Sequence, residues 1–173
     1  LLGSHEEPSG DAGATRPVIP VTTKLDIPFQ LVDPLGEATG AELPKLSNDE
    51  LRELFVHMQR VRTVDARMLK LQRAGCVGFV GATVGQEASM IGTAAPLRDS
   101  DWLWSGLREG GAALMRGLPL GEYIAQMYCN AFDTAKGRQM CNHFQHKGSN
   151  YPSWSSVIGT QIPHGVGAAF AAK

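Results

Sequence analysis

Thiols are scarce in this chain, and the three present, Cys76, Cys129 and Cys141, stand in no CxxC or His-rich spacing. That argues against a zinc centre and against the disulfide framework of a secreted domain, and it fits a reducing compartment. No apolar run reaches the ~18 residues of a membrane span, and the start has no basic stretch followed by an apolar one. The expectation is a soluble protein that is not secreted. Charge of one sign is also lacking. Lys and Arg number 16 against 17 Asp and Glu, a net charge of −1 without runs of like charge, so a nucleic-acid groove or an anionic membrane surface is not indicated. The spacing GxGxxG is absent too, which removes the usual dinucleotide fingerprint. At 173 residues the chain is the size of one domain or part of a larger one.

What is present reads as helices joined by glycine-rich and polar links. Residues 1–28 are rich in Gly, Pro, Ser and Glu, with Pro8, Pro17, Pro20 and Pro28 breaking any period, and are expected to form a flexible or extended arm. Phe29-Gln30-Leu31-Val32-Asp33 before Pro34-Leu35-Gly36-Glu37 reads as a short strand entering a turn. Ser47-Asn48-Asp49-Glu50 is a capping box. Leu51, Leu54, Phe55, Met58 and Val61 follow at helical spacing, predicting an amphipathic helix to about Ala74 with Gly75 as its stop. The charges Arg60, Arg62, Arg67, Lys70 and Arg73 form its solvated or partner-facing side. Gly78, Gly81 and Gly85 then link to a second helix of small residues, 88–95. Such a link lets backbone approach a ligand or a neighbouring helix closely, and its Phe79 is either core or substrate wall. Asp99 to Trp104 reads as a turn into a short strand, 112–116 as a helix, and Leu118-Pro119-Leu120 as the start of an amphipathic helix ending near Asn130.

Three places carry candidate chemistry. Arg108 lies just ahead of a helix, where its planar fork suits a phosphate; the other reading is a surface Arg paired with Glu109 or Asp101. His143 sits in the loop after Lys136-Gly137-Arg138-Gln139-Met140 and has the side chain best suited to meet an anionic substrate near neutral pH, unless it is structurally idle. His146 and His164 are assigned no role. The run Ser155-Ser156-Val157-Ile158-Gly159-Thr160-Gln161, before the small-residue segment to Lys173, gathers hydroxyl and amide oxygens in one turn. Oxygens of this kind suit a hard cation and a polar ring; equally, hydroxyls before a helix serve as caps.

Together, Leu71-Gln72-Arg73-Ala74-Gly75, Gly85-Gln86-Glu87-Ala88, Arg108-Glu109, Lys136 to Met140 with His143, and Ser155-Ser156 followed by Thr160-Gln161-Ile162-Pro163 resemble one family in order and spacing. It is the alpha subunit of the decarboxylating component of the thiamine-diphosphate-dependent 2-oxo acid dehydrogenases. The Ser-Ser-x-x-x-Thr-Gln form and the Phe-Gln-Leu-Val-Asp lead-in look most like the branched-chain enzymes. The resemblance implies an α/β thiamine-diphosphate-binding fold over 29–173, helix-rich with a mainly parallel sheet, and the oxidative decarboxylation of a branched-chain 2-oxo acid with acyl transfer to a lipoyl group. Pyruvate or acetoin as substrate, or a non-catalytic interaction module, are the alternatives.

Carried over position by position, the resemblance places Ser155, the carbonyl of Val157, Thr160 and Gln161 on a potassium ion. It places Leu107 and Arg108 at the cofactor, with Arg108 on the diphosphate, and Ser156 and Ile158 at its aminopyrimidine ring. Phe79, Met140 and His143 fall in the substrate pocket, and His143 and Ser156 take the catalytic positions. Leu107 stands where the family usually has Tyr, removing a possible hydrogen bond worth roughly 0.5–1.5 kcal/mol. Val157 stands where Pro is common, which leaves the backbone carbonyl in place. The family's magnesium motif, Gly-Asp-Gly with a downstream Asn, would lie past Lys173, so the chain is expected to be a fragment lacking the magnesium ligands. The implied partners are a beta subunit in an alpha2-beta2 assembly, a lipoyl-bearing acyltransferase core and a small 2-oxo acid. The expected location is cytoplasmic in a bacterium or the mitochondrial matrix in a eukaryote, the cytoplasm being preferred.

Overall fold

The computed structural model describes residues 30–40 and 43–173. The arm expected over 1–28, and Phe29, lie outside the described residues. Leu1–Lys45 and Leu46–Lys173 are separate compact units. In the first, Asp33 Oδ1 accepts from the backbone N–H groups of Leu35 and Glu37 at 2.8 and 2.9 Å, and this makes the expected turn. The expected strand is reduced to one antiparallel bridge between Val32 and Ala38.

The second unit opens with α1, Asn48–Arg73, which starts and stops where local chemistry dictates. Ser47 accepts from the Glu50 N–H while the Glu50 carboxylate accepts from the Ser47 N–H at 2.7 Å, and Ala74 caps the other end ahead of Gly75 at φ 74°. α2 (Glu87–Ala94) and α3 (Gly110–Met115) pack on α1 and on each other. Val61, Met90, Ile91, Ala94 and Ala112 fill their junction. The helices approach this closely because Gly111 lacks a Cβ; one placed there would lie 2.6 Å from a Val61 methyl. A larger core runs from Met68 through Val80, Leu114 and Leu118 to Tyr123, Met127, Phe144, Tyr151 and Trp154. Here α4, Leu120–Met127, contributes Tyr123, whose ring stacks on Phe144 with centroids 4.0 Å apart. α4 ends three residues short of the expected Asn130, and Cys129 turns into the left-handed region at φ 49°.

Among the described residues no strand forms, so neither the mainly parallel sheet nor the short strand after Asp101 is seen. The extended segments spend their backbone groups elsewhere. Thr83 N–H goes to the Asp65 carboxylate and His143 N–H to the Gln126 side chain, while Leu103 N–H meets the Asn150 carbonyl. A ladder needs those groups free. The last helix, α5, Gln161–Ala172, has no buried residue; Ile162, Val166 and Phe170 form an exposed apolar row along it.

Arg62 departs from the solvated side expected for the charges of α1. Its guanidinium donates at 2.8 Å to Glu87, which is buried at the start of α2 and also accepts from Gly85 N–H. The hydrogen bond from Arg62 holds the Glu87 carboxyl below the usual carboxylate range. Asp65, one turn along α1, is pushed the other way by burial, with one carboxylate oxygen left unpartnered.

Candidate cofactor and substrate site

The turn before α5 and the turn before α3 face each other across a cleft of about 280 Å³, lined by Leu107, Arg108, Ser155, Ser156, Ile158 and Gln161 among others. Every residue expected at the cofactor lines it. Arg108 is exposed and donates to the Ala82 carbonyl. Neither acidic side chain considered beside it forms an ion pair with it: Asp101 pairs with Arg98, and the Glu109 carboxylate accepts from the Arg108 backbone N–H at 3.0 Å. Gly106 floors the cleft, and a Cβ there would sit 3.3 Å from the Glu109 carboxylate and 3.5 Å from the Gln161 amide. An exposed guanidinium at one wall and a hydroxyl beside the 91% exposed Ile158 at another suit a ligand with an anionic end and a flat, partly apolar ring.

Behind Ser156 lies His143, only 3% exposed and held from four sides. Its backbone N–H donates to Gln126 Oε1 at 2.9 Å, and its ring stacks on Trp154 with centroids 4.3 Å apart. Nδ1 lies 3.0 Å from the Cys141 carbonyl, which only accepts, so Nδ1 carries the proton. In the neutral ring Nε2 then accepts the hydroxyl proton of Ser156. The two residues given catalytic positions are thus in direct contact, and the histidine is anything but idle structurally.

The hydroxyl-rich turn does not cap α5. Thr160 occupies the N-cap without a side-chain bond to the helix; its hydroxyl turns back to donate to the Val157 carbonyl at 2.7 Å. Ser155 Oγ accepts from Val157 N–H at 3.2 Å, and Gln161 Oε1 from Gly159 N–H at 3.1 Å. These are all neutral oxygens from one short turn, a donor set suited to a hard monovalent cation rather than to a thiophilic metal. Among the described residues no three His, Cys, Asp or Glu side chains gather as a metal site.

Two expected pocket residues are not brought to the cleft. Phe79 is half-buried, and Met140 is exposed with its carbonyl accepting from Gln126 Nε2 at 2.6 Å. Conversely, Gln126, Trp154 and Asn142 support the site and were not anticipated. Asn142, at φ 69°, donates at 2.7 Å to the carbonyl of Leu107 and so ties the histidine loop to the arginine turn. Its left-handed backbone is the kind of position Asn tolerates, but sequence gave no sign of the partner 35 residues away.

Residues 56–173 match the dehydrogenase E1 component family, and the chain belongs to that family. It is similar to the mitochondrial 2-oxoisovalerate dehydrogenase subunit alpha of Homo sapiens, 35% identical over 155 residues, covering 90% of this chain and 34% of the relative. The corresponding subunits of Dictyostelium discoideum (35% identity, 75% of this chain and 30% of the relative) and Caenorhabditis elegans (34% identity, 84% and 34%) are similar as well. The chain thus spans about a third of the length of these relatives.

Proposed function

We propose that this chain is part of the alpha subunit of a branched-chain 2-oxo acid dehydrogenase, which decarboxylates its substrate oxidatively with thiamine diphosphate and passes the acyl group to a lipoyl arm. The observation that carries the reading is the cleft where Arg108, Ser156 and Ile158 meet, with His143 in contact with Ser156 behind it. In this reading Arg108 binds the diphosphate, and Ser156 and Ile158 hold the aminopyrimidine ring. Leu107 contributes an apolar wall in place of a hydroxyl. When bound, the cofactor supplies a nucleophilic carbon and an electron sink.

In this reading His143 faces the substrate carboxylate beside Ser156, whose single hydroxyl proton goes either to His143 Nε2 or to that carboxylate. Phe79 and Met140 belong to the substrate pocket in this reading, on the resemblance alone, since neither lines the cleft. Ser155, the Val157 carbonyl, Thr160 and Gln161 hold potassium, fixing the turn. In this reading magnesium is held by ligands outside the described residues, and the thiamine-diphosphate-binding fold is of the α/β class. A beta subunit supplies the other half of each site in an alpha2-beta2 assembly, with the lipoyl-bearing acyltransferase core as acceptor. The protein works in the cytoplasm of a bacterium or the mitochondrial matrix of a eukaryote, the cytoplasm being preferred.

The test is the protein at its natural length, co-expressed with its beta subunit and assayed for thiamine-diphosphate- and magnesium-dependent decarboxylation of 3-methyl-2-oxobutanoate beside pyruvate. Turnover of the branched substrate is expected. Arg108→Ala should weaken thiamine diphosphate binding by about 1.5–3 kcal/mol, the worth of a charge-assisted hydrogen bond, which is roughly 10–150-fold in Kd. Preference for pyruvate would reassign the substrate, and no turnover by an assembled tetramer would leave an interaction module.

A further inference from the structure

Cys129 and Cys141 are free thiols whose sulfurs lie 3.6 Å apart, although they are 12 residues distant in sequence. Neither is fully buried, so a small oxidant reaches both. Each is also built into the frame around His143. The Cys141 carbonyl faces His143 Nδ1 at 3.0 Å. The Cys129 sulfur lies against the carbonyls of Gln126 and Gln139 at 3.5 and 3.4 Å, and it is Gln126 that receives the His143 N–H.

We infer that Cys129 and Cys141 form a reversible disulfide under a hydroperoxide, and that its closure displaces His143. The effect on catalysis rests on the function proposed above; the thiol chemistry does not. Cys141 attacks the peroxide oxygen, forming an S–O bond as the O–O bond breaks; its thiol proton leaves with the alcohol, or with water when the oxidant is hydrogen peroxide. The Cys129 sulfur then attacks the sulfenic sulfur; an S–S bond forms, the S–O bond breaks and hydroxide leaves with the Cys129 proton as water. Two electrons pass from the thiol pair to the peroxide. Burial, reinforced by the neighbouring Cys141, pushes the Cys129 thiol up to about 11, which disfavours Cys129 as the thiolate that meets the peroxide; its attack on the sulfenic sulfur is helped instead by the 3.6 Å contact between the two sulfurs.

Closing the bond brings the sulfurs from 3.6 Å to about 2.05 Å. The part of that movement of about 1.5 Å that χ1 rotation of the two cysteines does not absorb falls on the Cys141 peptide, whose carbonyl fixes the imidazole. Glutathione or thioredoxin reverses the bond in a reducing compartment, as befits a regulatory rather than a structural disulfide.

The natural-length protein with its beta subunit should be exposed to hydrogen peroxide, its remaining thiols alkylated, and its peptides mapped by mass. A peptide pair joined through Cys129 and Cys141, two hydrogens lighter than the dithiol and absent from Cys129→Ser, is expected. Trp154, stacked on His143, reports the displacement. Its emission, taken as the difference between the protein and its Trp154→Phe variant, should shift on oxidation and return with dithiothreitol, but stay constant in Cys129→Ser. Decarboxylation should fall and recover in parallel in the wild type alone. Alkylation of both cysteines after oxidation would overturn the disulfide, and a joined pair with unchanged Trp154 emission would overturn the coupling. A reduced protein without turnover would count against the proposed function only, with the mass and emission readouts still deciding this inference.

Discussion

Replacing Gln126 by Leu tests whether one buried amide holds the histidine in place. The side chain is 2% exposed and bridges two segments of chain, accepting from the His143 N–H at 2.9 Å and donating to the Met140 carbonyl at 2.6 Å. Leu has a similar volume, so packing changes little. What is lost is polar. The His143 N–H, buried and without another acceptor nearby, incurs a desolvation penalty of about 1–3 kcal/mol, and the partly solvated Met140 carbonyl forfeits a bond worth about 0.5–1.5 kcal/mol net.

The sum, roughly 1.5–4.5 kcal/mol, should lower the urea midpoint without changing the slope. Gln126→Glu keeps an acceptor for His143 but turns a second oxygen towards the Met140 carbonyl. It should fall between wild type and Leu at a pH where Glu is protonated and approach Leu where it is ionised. The measurement is urea unfolding followed by Trp emission at both pH values, on the natural-length protein. If Gln126→Leu unfolds within about 0.5 kcal/mol of wild type, the range of an ordinary surface substitution, the bridge does not support His143 in the way argued here.

Gly111→Ala should destabilise the junction of α1, α2 and α3. Overpacking against Val61 costs about 1–3 kcal/mol, against a gain of at most ~1 kcal/mol in helix propensity, and differential scanning calorimetry should show a lower Tm. Asp65 and Glu87 should give opposite pH dependences. Because burial raises the Asp65 pKa, its contribution is fully present below the unfolded value of about 3.9 and is lost as pH rises through the folded value. Asp65→Asn should therefore remove a loss of stability on that alkaline side, seen in urea midpoints taken across the carboxylate range. The Glu87 carboxyl is depressed, so its contribution is present above the unfolded value of about 4.3 and is lost as pH falls through the folded one. Glu87→Gln should flatten that acid limb.

Features decided within a few residues were legible in the sequence. The capping box of Ser47 and Glu50 and the stop at Gly75 need only their immediate neighbours, and α1 follows from them. The apolar spacing placed the helix but not its buried length, since Leu51 and Phe55 are exposed while Val61 and Met68 are covered. Arg62 could not be separated from Arg60 or Arg67 by pattern, because its carboxylate partner is 25 residues distant. For the site, the cofactor residues carried by the resemblance, Leu107, Arg108, Ser156 and Ile158, line one cleft while Phe79 and Met140 do not, and the supporting side chains Gln126, Asn142 and Trp154 act across separations no local pattern encodes. The hydroxyls before α5 show the same limit. Their composition suits a cap, and only the geometry shows Thr160 turned back to Val157 instead.

A helix that buries none of its residues has little besides its own backbone bonds to keep it formed, and a segment this short is marginal in water on its own. With the described residues alone around it, α5 lies at the low end of local stability, and in this 173-residue chain its amides should exchange with solvent far sooner than those of α3. The turn bearing Ser155, Ser156 and Gln161 leads directly into it. Whatever grips that turn must also meet the entropy of ordering the helix, so binding strength at the cleft and the persistence of α5 are two readings of one equilibrium. A contact that covers Ile162, Val166 and Phe170 would tighten the cleft without touching it.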